Sequence, residues 1–168
     1  MSWMIPPRRA LAASLLLPLA LFAGTWATTH RKAQQGDIWL IPVQGYDPRD
    51  LLRGHFVQYR YDWPAAGGAD GESLGYAPAL CIIGRAPHIA AVRSDVMDHC
   101  TIVAKATMGA RREVQGLDTG ILYVSQPRAI ALSKQLADPT LQGLLLVRIR
   151  PDGVIRPIDL QFRRRARP

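Results

Sequence analysis

The feature that most constrains this chain is a run of twenty residues, 10–29, that contains no charged side chain and is rich in leucine and alanine. As a helix the run would be about 30 Å long, which matches the hydrocarbon core of a bilayer. Arg8 and Arg9 precede it, and Trp26 lies near its far end, where an indole ring suits the membrane interface. Pro18, in the middle of the run, is tolerated in membrane spans. The sequence therefore predicts one transmembrane helix over residues 10–29.

Two alternatives to an anchor are a cleaved signal peptide and a helix buried in a soluble domain. A signal peptide has a shorter apolar region, about 7–15 residues, that ends at a small-x-small site. The best candidate here is Thr25-Trp26-Ala27, whose middle residue is bulky. We therefore expect the helix to be retained. Positive charges flank both of its ends, and a short N-terminal tail most often stays in the cytoplasm, so the body of the chain is expected outside the inner membrane.

The net charge of +8 lies at the two ends of the chain. Residues 1–32 hold four basic residues and no acidic one, and residues 163–168 hold four arginines. Residues 33–162 thus carry 13 of the 21 basic residues against all 13 acidic ones. Because a nucleic-acid interface needs a basic excess on a folded face, no nucleic-acid partner is expected.

From residue 37 onward, short runs of β-forming residues are separated by Pro, Gly and Asp. Residues 55–61 alternate, with His55, Val57, Tyr59 and Tyr61 on one face, which is the period of a strand. Strands are predicted over 37–43, 55–61, 79–83, 89–92, 101–106, 144–150 and 154–162, with a loop over 64–72. Pro157 predicts a bulge or an edge position in the last strand.

One short helix is predicted over residues 126–137, with Ser125 as its N-cap and Pro127 in its first turn. The predicted fold class is mainly β (α+β), an N-terminal transmembrane helix followed by a twisted antiparallel sheet or partial barrel with one short helix. The predicted organisation is a cytoplasmic tail (1–9), an anchor (10–29), a linker (30–36), a periplasmic β-rich domain (37–162) and a basic tail (163–168).

Residues 47–61, DPRDLLRGHFVQYRY, resemble the motif region of the GDYXXLXY family, membrane-anchored bacterial proteins named for Gly-Asp-Tyr-x-x-Leu-x-Tyr. Gly54 and Tyr61 agree with that motif, whereas His55, Phe56 and Tyr59 replace its Asp, Tyr and Leu. The resemblance continues through a Gly-Ile-x-Tyr-x-Val strand at residues 120–124, a helix and a terminal hairpin. It implies an anchored β-rich protein without an established activity. It also implies a polytopic membrane protein as partner, because members often accompany such proteins.

Two interpretations of the motif segment remain open. In the structural one, Gly54 lets the chain reverse, the aromatic residues fill a sheet face, and charged pairs brace the turn. In the functional one, a ligand or partner site is centred on His55, Arg60 and the turn. The candidate residues of this segment are Asp47, Arg49, Asp50, Arg53, Gly54, His55, Phe56, Tyr59, Arg60 and Tyr61.

Cys81 and Cys100 bracket His88 and His99, which raises the question of a zinc site. Because His99 and Cys100 are adjacent, a strand would point their side chains to opposite faces. The simpler interpretation is one disulfide between neighbouring strands, and two unpaired buried thiols are the alternative. A structural disulfide needs an oxidising compartment, in agreement with an exported body.

The sequence contains no Gly-x-Ser-x-Gly elbow, no Cys-x-x-Cys pair and no glycine-rich phosphate loop. We therefore expect no catalytic residue, metal or cofactor, and predict a non-catalytic accessory of a polytopic inner-membrane protein. The alternatives are an envelope hydrolase or peptidase-like enzyme with an unrecognised site, or a module for a small ligand. The clustered cations are either solvated or bound to anionic lipid head groups, and they are Arg31, Lys32, Arg163, Arg164, Arg165 and Arg167.

Overall fold

The computed structural model describes residues 7–45, 56–66, 71–95, 99–108 and 114–165. The chain divides into two compact units, residues 1–35 and residues 36–168. The first unit is helix α1, Pro7–Gln34, which is longer than predicted and includes most of the predicted linker. Among the residues described, no helix has both the length and the apolar character needed to cross a membrane. The span over residues 10–29 stays a prediction.

The second unit is built mainly of strands. In chain order its elements are β1 Asp37–Gly45, β2 Phe56–Tyr61, α2 Gly71–Leu74, β3 Ala79–Arg85, β4 His88–Arg93, β5 Ile102–Lys105, β6 Thr107–Met108, β7 Val114–Gln115, β8 Thr119–Tyr123, α3 Gln126–Leu136, β9 Leu141–Ile149 and β10 Ile155–Arg164. Helix α3 confirms the predicted short helix. The single turn of α2 corrects the prediction that residues 64–72 form only a loop, and it buries Leu74.

Eight of the strands in the described ranges form one curled sheet, a half-barrel, in agreement with the predicted mainly β class. The order runs β10-β9-β1-β4-β3-β5, and a second branch, β2-β8, also begins at β1. Strands β6 and β7 form a separate ribbon. The predicted antiparallel pairing holds for the long ladders and is wrong for β1 and β4, which pair in parallel at Leu40 and His88.

The sheet forks at Pro42 in β1. The Leu40 amide donates to Pro87 O at 2.9 Å, on the side of β4. Pro42 faces the same edge two residues later but has no N–H, and its carbonyl accepts from the Asp62 amide at 2.9 Å, on the side of β2. A proline is normally excluded from a central strand, and here it lies where the neighbouring strand changes.

The core lies on the inner face of the sheet. In β1 the residues Trp39, Ile41 and Val43 are buried, and β9 contributes Leu145, Val147 and Ile149. Helix α3 packs against β1, β2 and β9 and buries Ala129 and Leu132. Its N-cap is Ser125, as predicted, although the serine side chain makes no capping hydrogen bond.

The terminal hairpin of β9 and β10 is held by nine register pairs and turns through residues 151–153. Gly153 has a φ of +91°, a conformation that side chains other than glycine rarely adopt. The register shifts between Pro157 and Asp159, so the bulge predicted from Pro157 is confirmed. Arg128 of α3 pairs with Asp159 beside this bulge at 2.6 Å.

Candidate functional site

The family motif places its second half in β2, between β1 and β8. Val57, Tyr59 and Tyr61 are buried, while Gln58 and Arg60 lie partly exposed on the opposite face, as the alternation predicted. The candidates Asp47, Arg49, Asp50, Arg53, Gly54 and His55 lie outside the described residues. The described part of the motif therefore has one face in the core and one face toward solvent.

The inner face carries a stack of three aromatic rings. Tyr59 and Tyr61 meet edge to face with centroids 5.3 Å apart, and Tyr61 stacks on Trp63 at 5.0 Å. The Trp63 indole donates to Leu117 O at 2.6 Å. Burial raises the pKa of Tyr59 and raises the pKa of Tyr61 well above its ordinary value. Both phenols are therefore uncharged hydrogen-bonding groups at neutral pH.

Tyr59 lies directly across from Gly120 in the antiparallel pair of β2 and β8. A Cβ added at Gly120 would lie 2.6 Å from Tyr59 Cζ, closer than carbon atoms pack. Because the glycine of the Gly-Ile-x-Tyr-x-Val strand has no side chain, it leaves room for the Tyr59 ring. Tyr59 and Gly120, which lie 61 residues apart in the sequence, are thus a cross-strand pair in the fold.

Arg60, a candidate for the ligand or partner site, forms an ion pair with Asp118 at 3.5 Å. Asp118 also fixes the end of β2, because the Tyr61 amide donates to Asp118 O at 2.9 Å. Gly75 allows the close approach of this residue, since an added Cβ would lie 2.7 Å from Asp118 Cβ. Sequence reasoning missed Asp118 because this residue belongs to no recognisable motif. It comes close to Arg60 only because β2 pairs with β8.

The solvent face of β2 and β8 carries an aromatic patch, defined as Phe56, Ile121 and Tyr123. Phe56 and Tyr123 are register partners whose ring centroids lie 6.4 Å apart, edge to face. Tyr123 is 76 % exposed and Ile121 40 % exposed. A half-exposed motif aromatic and two exposed apolar neighbours therefore form a continuous surface beside the motif.

A cavity of about 150 Å³ opens at the side of the half-barrel. We call it the tyrosine cavity, and its lining includes Tyr59, Tyr61, Lys105, Gly120, Val154 and Pro157. It lies where β8 faces the start of β10, while the Lys105 amide donates to Gly153 O at 2.8 Å and ties β5 to the terminal hairpin. Tyr59 and Tyr61 of the motif strand thus line a cavity in addition to packing in the core.

A second depression, the basic groove of about 510 Å³, lies at the far end of β9 and β10. Its lining is Gln44, Asp62, Gln142, Arg163, Arg164 and Arg165. The predicted basic tail is wrong at its start, because Arg163 and Arg164 belong to β10 and the Arg165 amide donates to Thr140 O. Gln142 Oε1 accepts two bonds from Arg163, at 3.1 and 2.9 Å.

The remaining predicted cations are distributed differently. Arg31 and Lys32 lie exposed in the last turn of α1, and Arg167 lies outside the described residues. The structure thus gathers three of the six into one groove.

Cys81 and Cys100 form a disulfide with their Cα atoms 5.2 Å apart. Cys81 is in β3, and Cys100 precedes β5, the strand that pairs with β3. The disulfide prediction is confirmed, and the alternatives of zinc ligands and unpaired thiols are wrong. In the ranges that the structure describes, no group of three or more His, Cys, Asp or Glu side chains is placed to hold a metal ion.

The second unit is an α+β domain. It consists of a forked half-barrel with one packed helix and a buried aromatic strand, and helix α1 belongs to the first unit. The model of the GDYXXLXY protein family matches residues 18–160, and the chain belongs to this family. No curated protein and no solved structure matches the chain.

Proposed function

We propose that the protein is a non-catalytic, membrane-anchored periplasmic domain that serves as an accessory of a polytopic inner-membrane protein. The observation that carries the proposal is the exposed apolar surface of α1. Its large apolar side chains are 61–74 % exposed, and they are Leu15, Leu16, Leu17, Leu19, Leu21, Phe22 and Trp26. An exposed apolar surface of this size marks a site of contact with a membrane or a protein. Lipid is the contact that suits the charge-free run of residues 10–29.

Export of the body is supported by the Cys81–Cys100 disulfide. Structural disulfides persist in the periplasm and are rare in the cytosol, where thiols are kept reduced. The disulfide and the apolar run share no residue, so they are independent arguments for the same topology.

The aromatic patch is the surface we assign to the membrane partner. The inner face of the motif strand faces the core and the small tyrosine cavity, so its solvent face is the part of the described motif that remains for contact with a protein. Aromatic side chains are enriched in the centres of protein interfaces. Phe56 lies at a motif position, and Tyr123 and Ile121 extend the patch onto β8.

The basic groove is the surface we assign to anionic lipid head groups. Among the described residues that line it, three arginines outnumber one carboxylate, that of Asp62. A basic side chain near an anionic membrane contributes about 1 kcal/mol to binding, so three of them favour contact with the membrane over free solution.

The experiment is co-purification of the tagged full-length chain from membranes after extraction in a mild detergent. We expect a polytopic protein to be recovered with the wild type and to be lost with the double variant Ile121→Ser/Tyr123→Ser. The matched control is Ile158→Ser/Tyr76→Ser, which removes an equally exposed isoleucine and an exposed tyrosine outside the patch. Recovery of the wild type as a lone monomer would refute the proposal.

A further inference from the structure

The tyrosine cavity presents a donor that the described protein does not satisfy. The Tyr59 and Tyr61 hydroxyls lie 3.5 Å from each other, and no other partner of either hydroxyl occurs in the described part of the chain. Each phenol is one donor and also an acceptor, so a pair joined by one contact leaves one O–H to donate elsewhere. Buried polar groups are normally paired, which points to an acceptor held inside the cavity.

A basic residue also lines the cavity. Lys105 lines it, and the stem of this side chain lies against Gly153, where an added Cβ would be 2.7 Å from Lys105 Cγ. Within the described ranges, no carboxylate lies at ion-pair distance from Lys105. A lysine and two phenols that line one cavity favour an anionic acceptor as its occupant.

The rest of the lining is apolar or small. Val154, Pro157 and Ile121 supply the apolar wall, and Gly120, against which the Tyr59 ring lies, also lines the cavity. A cavity of about 150 Å³ is the size that accommodates benzene in an engineered apolar site. An occupant therefore has about the bulk of one six-membered ring, with its charged group toward Lys105 and the phenols.

We propose that the tyrosine cavity is a binding site for a small organic carboxylate with a flat apolar body, of the size of benzoate. Lys105 neutralises the carboxylate, a tyrosine hydroxyl donates to it, and the apolar wall covers the ring. This site goes beyond the accessory function, because it is built on Tyr59 and Tyr61 of the inner face of β2, whereas the partner surface lies on the outer face and shares only the bordering Ile121.

The test is titration of the purified full-length chain in detergent with benzoate, followed by saturation-transfer NMR and calorimetry. For a ligand of this size we expect saturable binding with a dissociation constant on the order of 1 mM. Benzamide, which has the same shape and no charge, should bind about tenfold more weakly. A dry or water-filled cavity would show no saturable binding of benzoate and would overturn the proposal.

Two variants locate the site. Lys105→Met keeps the apolar stem and should weaken benzoate binding about tenfold, and Tyr61→Phe should weaken it by a smaller factor. Lys134→Met, on the exposed face of α3, is the matched control and should bind like the wild type. Near-ultraviolet circular dichroism checks that each variant is folded. Equal binding by Lys105→Met and the wild type would contradict the assignment.

Discussion

Gly120 shows how one residue of the family pattern depends on another. Its Cα faces the Tyr59 ring, and the added methyl group of alanine would overlap that ring. We expect Gly120→Ala to lower the free energy of unfolding by about 1–3 kcal/mol, the usual cost of overpacking. Urea denaturation of residues 36–168, which contain every core residue identified, measures it.

The same pair provides its own control through a double-mutant cycle. Tyr59→Leu installs the residue of the family motif at this position and removes the atoms that alanine would strike. In the Tyr59→Leu background we expect Gly120→Ala to cost clearly less than in the wild type. Identical costs in both backgrounds would show that the ring and the glycine do not interact.

The buried phenols make stability depend on pH in the alkaline range. Burial raises the pKa of both Tyr59 and Tyr61, so above a pH of about 10 the unfolded chain releases phenolic protons that the folded chain retains. Their contribution is fully present below pH 10 and is lost as the pH rises through the raised folded values. Between pH 9 and pH 11, the urea midpoint of Tyr61→Phe should fall less than that of the wild type, and an equal fall would contradict this.

At the scale of elements, the disulfide joins β3 to the segment before β5. Its cysteines are 19 residues apart, and a loop of this length is stabilised by about 3 kcal/mol in the chain-entropy model. We expect the double variant Cys81→Ala/Cys100→Ala to lose about that much free energy of unfolding. Reductant should lower the urea midpoint of the wild type and leave the variant unchanged, whereas a wild type insensitive to reductant would refute the prediction.

Several elements could be predicted from sequence because their signals are local. Period-two alternation located β2 and its buried face, the Pro-Asp-Gly turn located the terminal hairpin, and Pro157 located the bulge. The cysteine pairing was also predictable, because the chain has only two cysteines and they flank strand-like runs.

The features that sequence reasoning missed depend on contacts between distant segments. The fork at Pro42 requires β4 and β2 to share one edge of β1, and the Arg60–Asp118 ion pair requires β8 beside β2. Neither arrangement leaves a periodic trace in the chain. The run of arginines at residues 163–167 predicts a solvated tail, whereas pairing with β9 extends the strand through Arg163 and Arg164.

At the scale of the whole molecule, three roles are proposed along the chain. In this proposal the exposed apolar surface of helix α1 meets lipid, the half-barrel forms the folded body, and the two faces of β2 contact a protein partner and a small ligand. The inner residues of the described motif strand therefore contribute to the core, and its outer residues remain available to contact a partner. The central proposal is that the first segment holds the protein at a membrane, with its body in the periplasm.

The most direct measurement of that claim is thiol labelling of the full-length chain in intact cells, combined with fractionation. We expect the uncleaved chain to remain in the membrane pellet after an alkaline wash. It should acquire maleimide–polyethylene glycol adducts at Cys81 and Cys100 only after reduction. Recovery in the cytosolic fraction, with both cysteines labelled without reductant, would contradict the account.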